Sequence, residues 1–128
     1  MAARVEFRTD RFFTLSLDML ATAGFDGYFC ALNPAWSRTL GWTIEELQSR
    51  PFMEFVHPDD RAATVHETMR LQSGMDSVSF ENRYCHRDGT YRWLLWSATA
   101  VAEERLYYAV ARDVTAYHQV EEELRLAK

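Results

Sequence analysis

The segment His66-Glu67-Thr68-Met69-Arg70 comes nearest to a catalytic signature in this chain. A helical zinc hydrolase needs two histidines four apart, with a glutamate between them as general base. Arg70 stands where the second histidine would be, so the ligand set fails. Carboxylate pairs occur at Asp59-Asp60 and Glu45-Glu46. Both fall in first helical turns, where a negative charge favours the helix dipole, and structure alone explains them. His57, just ahead of Pro58, reads as a cap or loop residue. There is no nucleophile elbow, phosphate loop or clustered triad of residue types. Cys30 and Cys85 are far apart and lack metal-type spacing. Two reduced thiols are the expectation, in a reducing compartment. No residue set here carries a mechanism, so catalysis is not expected.

The bulk composition agrees. A chain of 128 residues suits one domain burying roughly two thirds of its unfolded surface. Hydrophobic residues make up 48% and aromatics 14%, enough for a real core. The net charge of −5, with no basic run, argues against nucleic acid and against direct contact with an anionic membrane. No apolar stretch reaches membrane-spanning length and no signal peptide precedes the fold, so the expectation is a cytoplasmic protein.

The elements that must position any site are punctuated clearly. Asp88-Gly89 sits between two β-rich, aromatic stretches, the signature of a two-residue type I′ hairpin. Its strands run roughly over Val78–His86 and Tyr91–Val101. From Tyr91 to Ala98 both alternating sets are largely apolar: Tyr91, Trp93 and Leu95 on one side, Leu94, Trp96 and Ala98 on the other. A sheet wet on one face should alternate apolar and polar. This one therefore needs a cover on each face, one of them a second cover beyond its own helices. Upstream, Asp10 can cap a short helix holding Phe12, Phe13, Leu15 and Leu17. Met19–Ala23 and Tyr28–Leu32 read as strands joined by Gly24-Phe25-Asp26-Gly27.

Asn33-Pro34 starts a helix, with Asn33 as N-cap and Pro34 in the first position; it ends at Leu40 before Gly41. Thr43 to Glu46 forms a capping box, with Trp42 and Leu47 as a hydrophobic staple. His57-Pro58-Asp59-Asp60 starts a third helix that reaches Gln72 and closes at Ser73-Gly74. A last strand spans Leu106–Asp113. Helices grouped within an antiparallel set of strands imply an α+β fold with helices on one sheet face. From Tyr117 the period changes: Tyr117, Val120, Leu124 and Ala127 fall on a heptad seam. An amphipathic helix lying on the domain gives the same spacing. The pattern has no Gly or Pro stop, so the expectation is a helix that continues in a longer protein.

Taken in order, Gly24-Phe25-Asp26-Gly27-Tyr28, Asn33-Pro34-Ala35-Trp36, Leu40-Gly41-Trp42, Glu45-Glu46-Leu47, Phe55-Val56-His57-Pro58-Asp59-Asp60-Arg61, Phe80-Glu81-Asn82-Arg83-Tyr84, Asp88-Gly89-Thr90-Tyr91-Arg92-Trp93 and Ala109-Val110-Ala111-Arg112-Asp113-Val114-Thr115 resemble a PAS domain of the bacterial sensor type, with its C-terminal PAC part. The resemblance covers about residues 12–115. It leaves 1–11 as an N-terminal extension and 116–128 as the start of a signalling helix. It implies a five-stranded antiparallel sheet in the order 2-1-5-4-3 with short helices over one face. It also implies a sensory, dimerising module upstream of an output domain in the same polypeptide, such as a histidine kinase or diguanylate cyclase.

The resemblance also implies sites. A cavity between inner sheet face and helices would be lined by Phe52, Phe55, Val65, Met69, Phe80, Asn82, Tyr84, Leu94, Trp96 and Ala111, with Asn82 and Tyr84 as polar handles. The other reading is a packed core without ligand, which the many aromatics favour. Among cofactors, none is favoured. Haem is the alternative, with His66 as the axial ligand candidate. The light-sensing flavin branch carries a reactive cysteine where Phe52 stands, and amide side chains where Tyr84, Leu94 and Ala111 stand, so a flavin photoadduct is not expected. The outer face would meet a partner subunit or the N-terminal segment through Phe12, Phe13, Trp93, Leu95, Tyr108 and Val110. Asp113, Thr115, Tyr117, Val120 and Leu124 would relay the signal.

Overall fold

The computed structural model describes residues 11–127. A helical segment at 11–15 precedes β1 (Met19–Gly24) and β2 (Phe29–Leu32). The helices α1 (Ala35–Leu40) and α2 (Ile44–Gln48) follow, then 3₁₀ turns at Phe52–Phe55 and Pro58–Asp60, then α3 (Arg61–Gln72). The strands β3 (Ser77–Cys85), β4 (Tyr91–Val101) and β5 (Leu106–Asp113) complete the sheet, and α4 (Thr115–Ala127) closes the described chain. All pairings are antiparallel, in the order β2-β1-β5-β4-β3. The α+β class and the strand order are those the sequence led us to expect. Among the described residues no helix is long and apolar enough to cross a membrane.

Local chemistry sets several boundaries as expected. Thr43 accepts from the Glu46 amide at 3.1 Å while the Glu46 carboxylate accepts from the Thr43 amide at 2.9 Å, a complete capping box. His57 Nδ1 accepts from the Asp59 amide at 3.0 Å, which starts the turn before α3. Gly41 ends α1 with φ +81°, and an added Cβ there would stand 3.1 Å from that of Arg87.

Three expectations are corrected. Asn33 does not cap α1; Pro34 occupies the cap position. The Asn33 side chain turns to the sheet instead, accepting from the Leu20 amide and donating to the Asp18 carbonyl, both at 2.9 Å. This buried residue finds two long-range partners where a cap would have used one. The Asp88-Gly89 hairpin is not a two-residue type I′ turn, because only Gly89 has positive φ. His86 N–H donates to Thr90 O at 2.7 Å and Gly89 N–H to His86 O at 2.9 Å. That is a three-residue loop, a type I turn followed by a left-handed glycine. Asp88 Oδ1 stabilises it by accepting from the Thr90 amide. The β1–β2 loop repeats the pattern with Asp26 and Gly27. Third, the helix expected to hold Leu17 ends at residue 15, leaving Leu17 89% exposed; the expected cap, Asp10, lies outside the described residues.

The core lies between the sheet and α1–α3. Trp36, Leu40, Leu47 and Leu94 are wholly buried. Trp36 is its hub: its ring lies 4.9 Å from Phe29, 5.8 Å from Trp96 and 6.0 Å from Tyr84, centroid to centroid. Its indole N–H is satisfied by the Leu20 carbonyl at 3.1 Å, as a buried donor requires.

Candidate functional site

Two places gather the residues of interest: a cavity on the inner sheet face and a junction on the outer one. The cavity follows from the size of side chains along one row of the sheet. Ala21 pairs with Ala109, Ala109 with Ala98, and Ala98 with Ser77. Cross-strand partners share a face, so four small side chains stand in line across β1, β5, β4 and β3. The adjoining row is bulky, with Trp96 opposite Phe80 and Met19 opposite Ala111. On the other side Tyr107 opposes Ala23. Thr64, Glu67, Thr68 and Leu71 of α3 roof the trough, and Phe29 and Phe52 wall it. The result is a cavity of about 80 Å³.

The polar groups in and beside it are mostly engaged. Asn82, fully buried, donates to Thr64 Oγ1 at 3.2 Å and accepts the Trp96 indole N–H at 2.7 Å. Thr64 Oγ1 in turn donates to the Asp60 carbonyl at 2.8 Å. Tyr107 OH accepts from Gln72. Glu67 accepts from Arg70 at 3.0 Å through both oxygens. Ser77 Oγ is buried without a hydrogen bond of ordinary geometry. It stands near enough to Glu67 to hold that carboxyl, with Arg70, below the usual range. Burial pushes the Tyr84 phenol well up.

The junction centres on Trp93. Its backbone carbonyl accepts from the Val114 amide at 2.8 Å and its amide donates to Thr115 Oγ1 at 2.8 Å. Asp113 Oδ1 accepts from the Thr115 amide at 2.9 Å and from its hydroxyl at 2.5 Å. One turn on, the His118 ring stacks on the Trp93 indole, and its Nε2 meets Glu81 Oε1 at 2.5 Å. The root of α4 is therefore tied to β4 by backbone, hydroxyl and ring.

The family model described as "PAS fold" matches residues 29–111. The chain belongs to the PAS family. PAS domains are sensory modules. The probable diguanylate cyclase DgcE of Escherichia coli is 30% identical over 83 residues, covering 64% of this chain and 8% of that protein. The chain thus spans under a tenth of the length of that curated relative. Among solved structures, a domain of the sensory box sensor histidine kinase/response regulator from Geobacter sulfurreducens superposes with a TM-score of 0.76 at 18% identity, covering 88% of this chain and 97% of that one. The PAS domain of the HTR-like protein from Haloarcula marismortui gives 0.74 at 23% identity, covering 87% and 98%. At such identity the likeness shows the fold.

Within this PAS domain the cavity residues named from sequence divide three ways. Phe52, Phe80, Tyr84 and Trp96 line the cavity. Phe55, Asn82, Leu94 and Ala111 are buried in the core beside it, and Asn82 is an internal strut rather than a free handle. Val65 and Met69 are corrected: at 44% and 64% exposure they face outward. The inward face of α3 is Thr64, Glu67, Thr68 and Leu71, because a hydroxyl and a carboxylate found partners there. Hydrophobicity alone chose the wrong stripe. The alanine row was missed as well; its one sequence signal is the small side chain recurring at alternate positions of β1 and β5 (Ala21, Ala23, Ala109, Ala111).

His66 is corrected as a haem ligand candidate. It is exposed on α3, off the face that roofs the cavity. A space of about 80 Å³ also falls well short of the roughly 300–1,000 Å³ of ordinary ligand pockets, so haem does not fit. Cys30 and Cys85 are free thiols, and burial pushes Cys85 up. On the outer face, Tyr108 and Val110 are exposed and Leu95 and Phe13 half-buried, while Phe12 is 78% exposed. The cover over Trp93, expected from a partner or the N-terminal segment, comes from this chain's own α4. Of the relay residues, Asp113 and Thr115 meet at the junction; Tyr117, Val120 and Leu124 lie exposed along α4.

Proposed function

We propose that this PAS domain is a non-catalytic sensory and dimerisation module. It relays changes in the sheet through Trp93, Asp113 and Thr115 into α4, and from there to an output domain further along the polypeptide. The names of its relatives point to a histidine kinase or diguanylate cyclase output. One observation carries the reading: α4 is held at its root by Trp93, yet its apolar stripe is bare. Tyr117, Val120 and Leu124 are 63%, 53% and 62% exposed. A bare stripe with heptad spacing suits packing against another helix, and a second copy supplies an identical one. Tyr108 and Val110 add apolar surface on the same side of the sheet. A relay of this kind needs two arrangements of the helix root separated by only a few kcal/mol. The free thiols suit a reducing compartment, and the reading places the module in the cytoplasm.

Light scattering of the whole chain at micromolar concentration tests this. A dimer is expected, converted to a folded monomer by Val120→Glu combined with Leu124→Glu. A wild-type chain that stays monomeric while its far-UV circular dichroism is native overturns the reading.

A further inference from the structure

The root of α4 carries a titratable side chain. The His118 amide closes a helical bond to the Val114 carbonyl at 3.1 Å. Its ring lies flat on Trp93 of β4, and its Nε2 meets Glu81 Oε1 of β3 at 2.5 Å. The side chains of His118 and Glu81 are 28% and 40% exposed, so solvent protons reach the contact. One side chain thus joins the helix to two strands.

The proton on that ring decides how well it joins them. Histidine changes charge between about pH 5 and 8. The imidazolium always donates from Nε2, and a bond assisted by charge is roughly twice as strong as a neutral one. A neutral ring donates there in one tautomer only; in the other it turns a lone pair on the carboxylate. A cationic ring is also attracted to the indole face. The surrounding charges favour the proton. Arg83 of β3, 5.1 Å from the same indole, is held by both oxygens of Asp60. Arg92 of β4 reaches Asp113 at 3.8 Å, and Arg112 of β5 pairs with Asp18 at 3.3 Å. On α4 itself Glu121 accepts from Tyr117, and Arg125 holds Glu122. Among the described residues, the ionic partner of Glu81 is His118. The positive end of the helix dipole opposes the proton; Asp113, whose Oδ1 accepts from the Thr115 amide at 2.9 Å, offsets it.

We infer that His118, Glu81 and Trp93 form a pH-sensitive latch on the output helix. With His118 protonated, the root of α4 is locked to β3 and β4. As pH rises through neutrality the proton leaves and the root loosens. The inference rests on the relay reading above for its biological meaning, since it names a signal, proton concentration, that α4 would pass on.

Amide hydrogen exchange over the first two turns of α4, expressed at each pH as protection relative to unstructured peptide, tests it on the whole chain. Protection should fall about two- to fivefold between about pH 5.5 and pH 8, the range of a partly exposed ion pair. Protection at Leu94 should stay unchanged. His118→Gln should remove the dependence. Glu81→Gln keeps an acceptor but not the charge; it should abolish or invert the dependence, because the imidazolium is then left with Arg83 and the helix dipole. In the wild-type chain the Trp93 indole N–H resonance should shift with pH in step with the His118 ring carbons. Protection independent of pH overturns the latch, as does an unaltered dependence in either variant, or an equal fall at Leu94. An indole resonance that stays put overturns the part given to Trp93. A pH-dependent root in a monomeric chain would sink the dimeric relay and leave the latch standing; a dimer with a pH-blind root does the reverse.

Discussion

The His118 imidazole lies flat on the Trp93 indole, ring centroids 4.2 Å apart and planes 10° from parallel. The same indole has the Arg83 guanidinium 5.1 Å from its centroid. Trp93 is thus where the output helix, the neighbouring strand β3 and the strand-to-helix junction meet. An aromatic pair of this kind contributes about 0.5–1.5 kcal/mol beyond its buried area.

His118→Ala should therefore loosen the helix root without unfolding the domain. The expected result is faster amide hydrogen exchange through the first turns of α4, with protection at Leu94 and Trp36 unchanged. Global stability should fall by no more than about 1.5 kcal/mol. Equal exchange in α4 before and after the substitution would show that the stack does not hold the helix.

Asp60 and Arg83 give a pH dependence with a definite sign. Arg83 donates to both Asp60 oxygens, at 3.0 and 2.7 Å, and its own amide adds a third bond at 2.8 Å. The Arg83 guanidinium holds the Asp60 carboxyl below its ordinary value of 3.8. A carboxyl depressed on folding stabilises the native state above its unfolded value and loses that contribution as pH falls through the folded one. Asp60→Asn should cost about 1.5–3 kcal/mol at pH 7. In urea unfolding the gap between variant and wild type should narrow steadily as pH drops below 3.8. A gap independent of pH would mean that the pair acts through shape alone.

Asn82 links the sheet to α3 from inside. Replacing it with Ala leaves the Trp96 indole N–H without its acceptor and Thr64 Oγ1 without a donor. Each orphaned buried group costs about 1–3 kcal/mol. Thermal unfolding of Asn82→Ala should show a midpoint lower by roughly 10 °C. A loss of only a degree or two would indicate that water replaces the amide, which a hydrated cavity rather than a dry one allows.

Much of the fold was legible because the signals are local. The Thr43 capping box, the His57-Pro58 start of the turn before α3 and the Gly41 stop each involve groups within a few residues of one another. Strand order came through resemblance to a family. The candidate site was half legible. Phe80, Tyr84 and Trp96, carried over from the family resemblance, fit alternation along β3 and β4, since a period of two assigns each side chain a face. Phe52, in a 3₁₀ turn, came from the resemblance alone. The roof did not follow. On α3 the apolar residues Val65 and Met69 face solvent, and Thr64 and Glu67 face inward because Asn82 and Ser77 of β3 await them. A hydrophobic stripe cannot report partners that lie on another element.

The chain's own letters determine where most strands and helices begin and end, and that both faces of β4 need covering. They do so because caps, φ preferences and alternation are settled by near neighbours. Only the tertiary structure decided what lies opposite what. Ala21, Ala109, Ala98 and Ser77 make a trough because strand pairing sets them in one row, and His118 covers Trp93 because the chain turns back at Thr115. Register and docking depend on contacts between residues far apart along the chain, and no short window of sequence contains both partners.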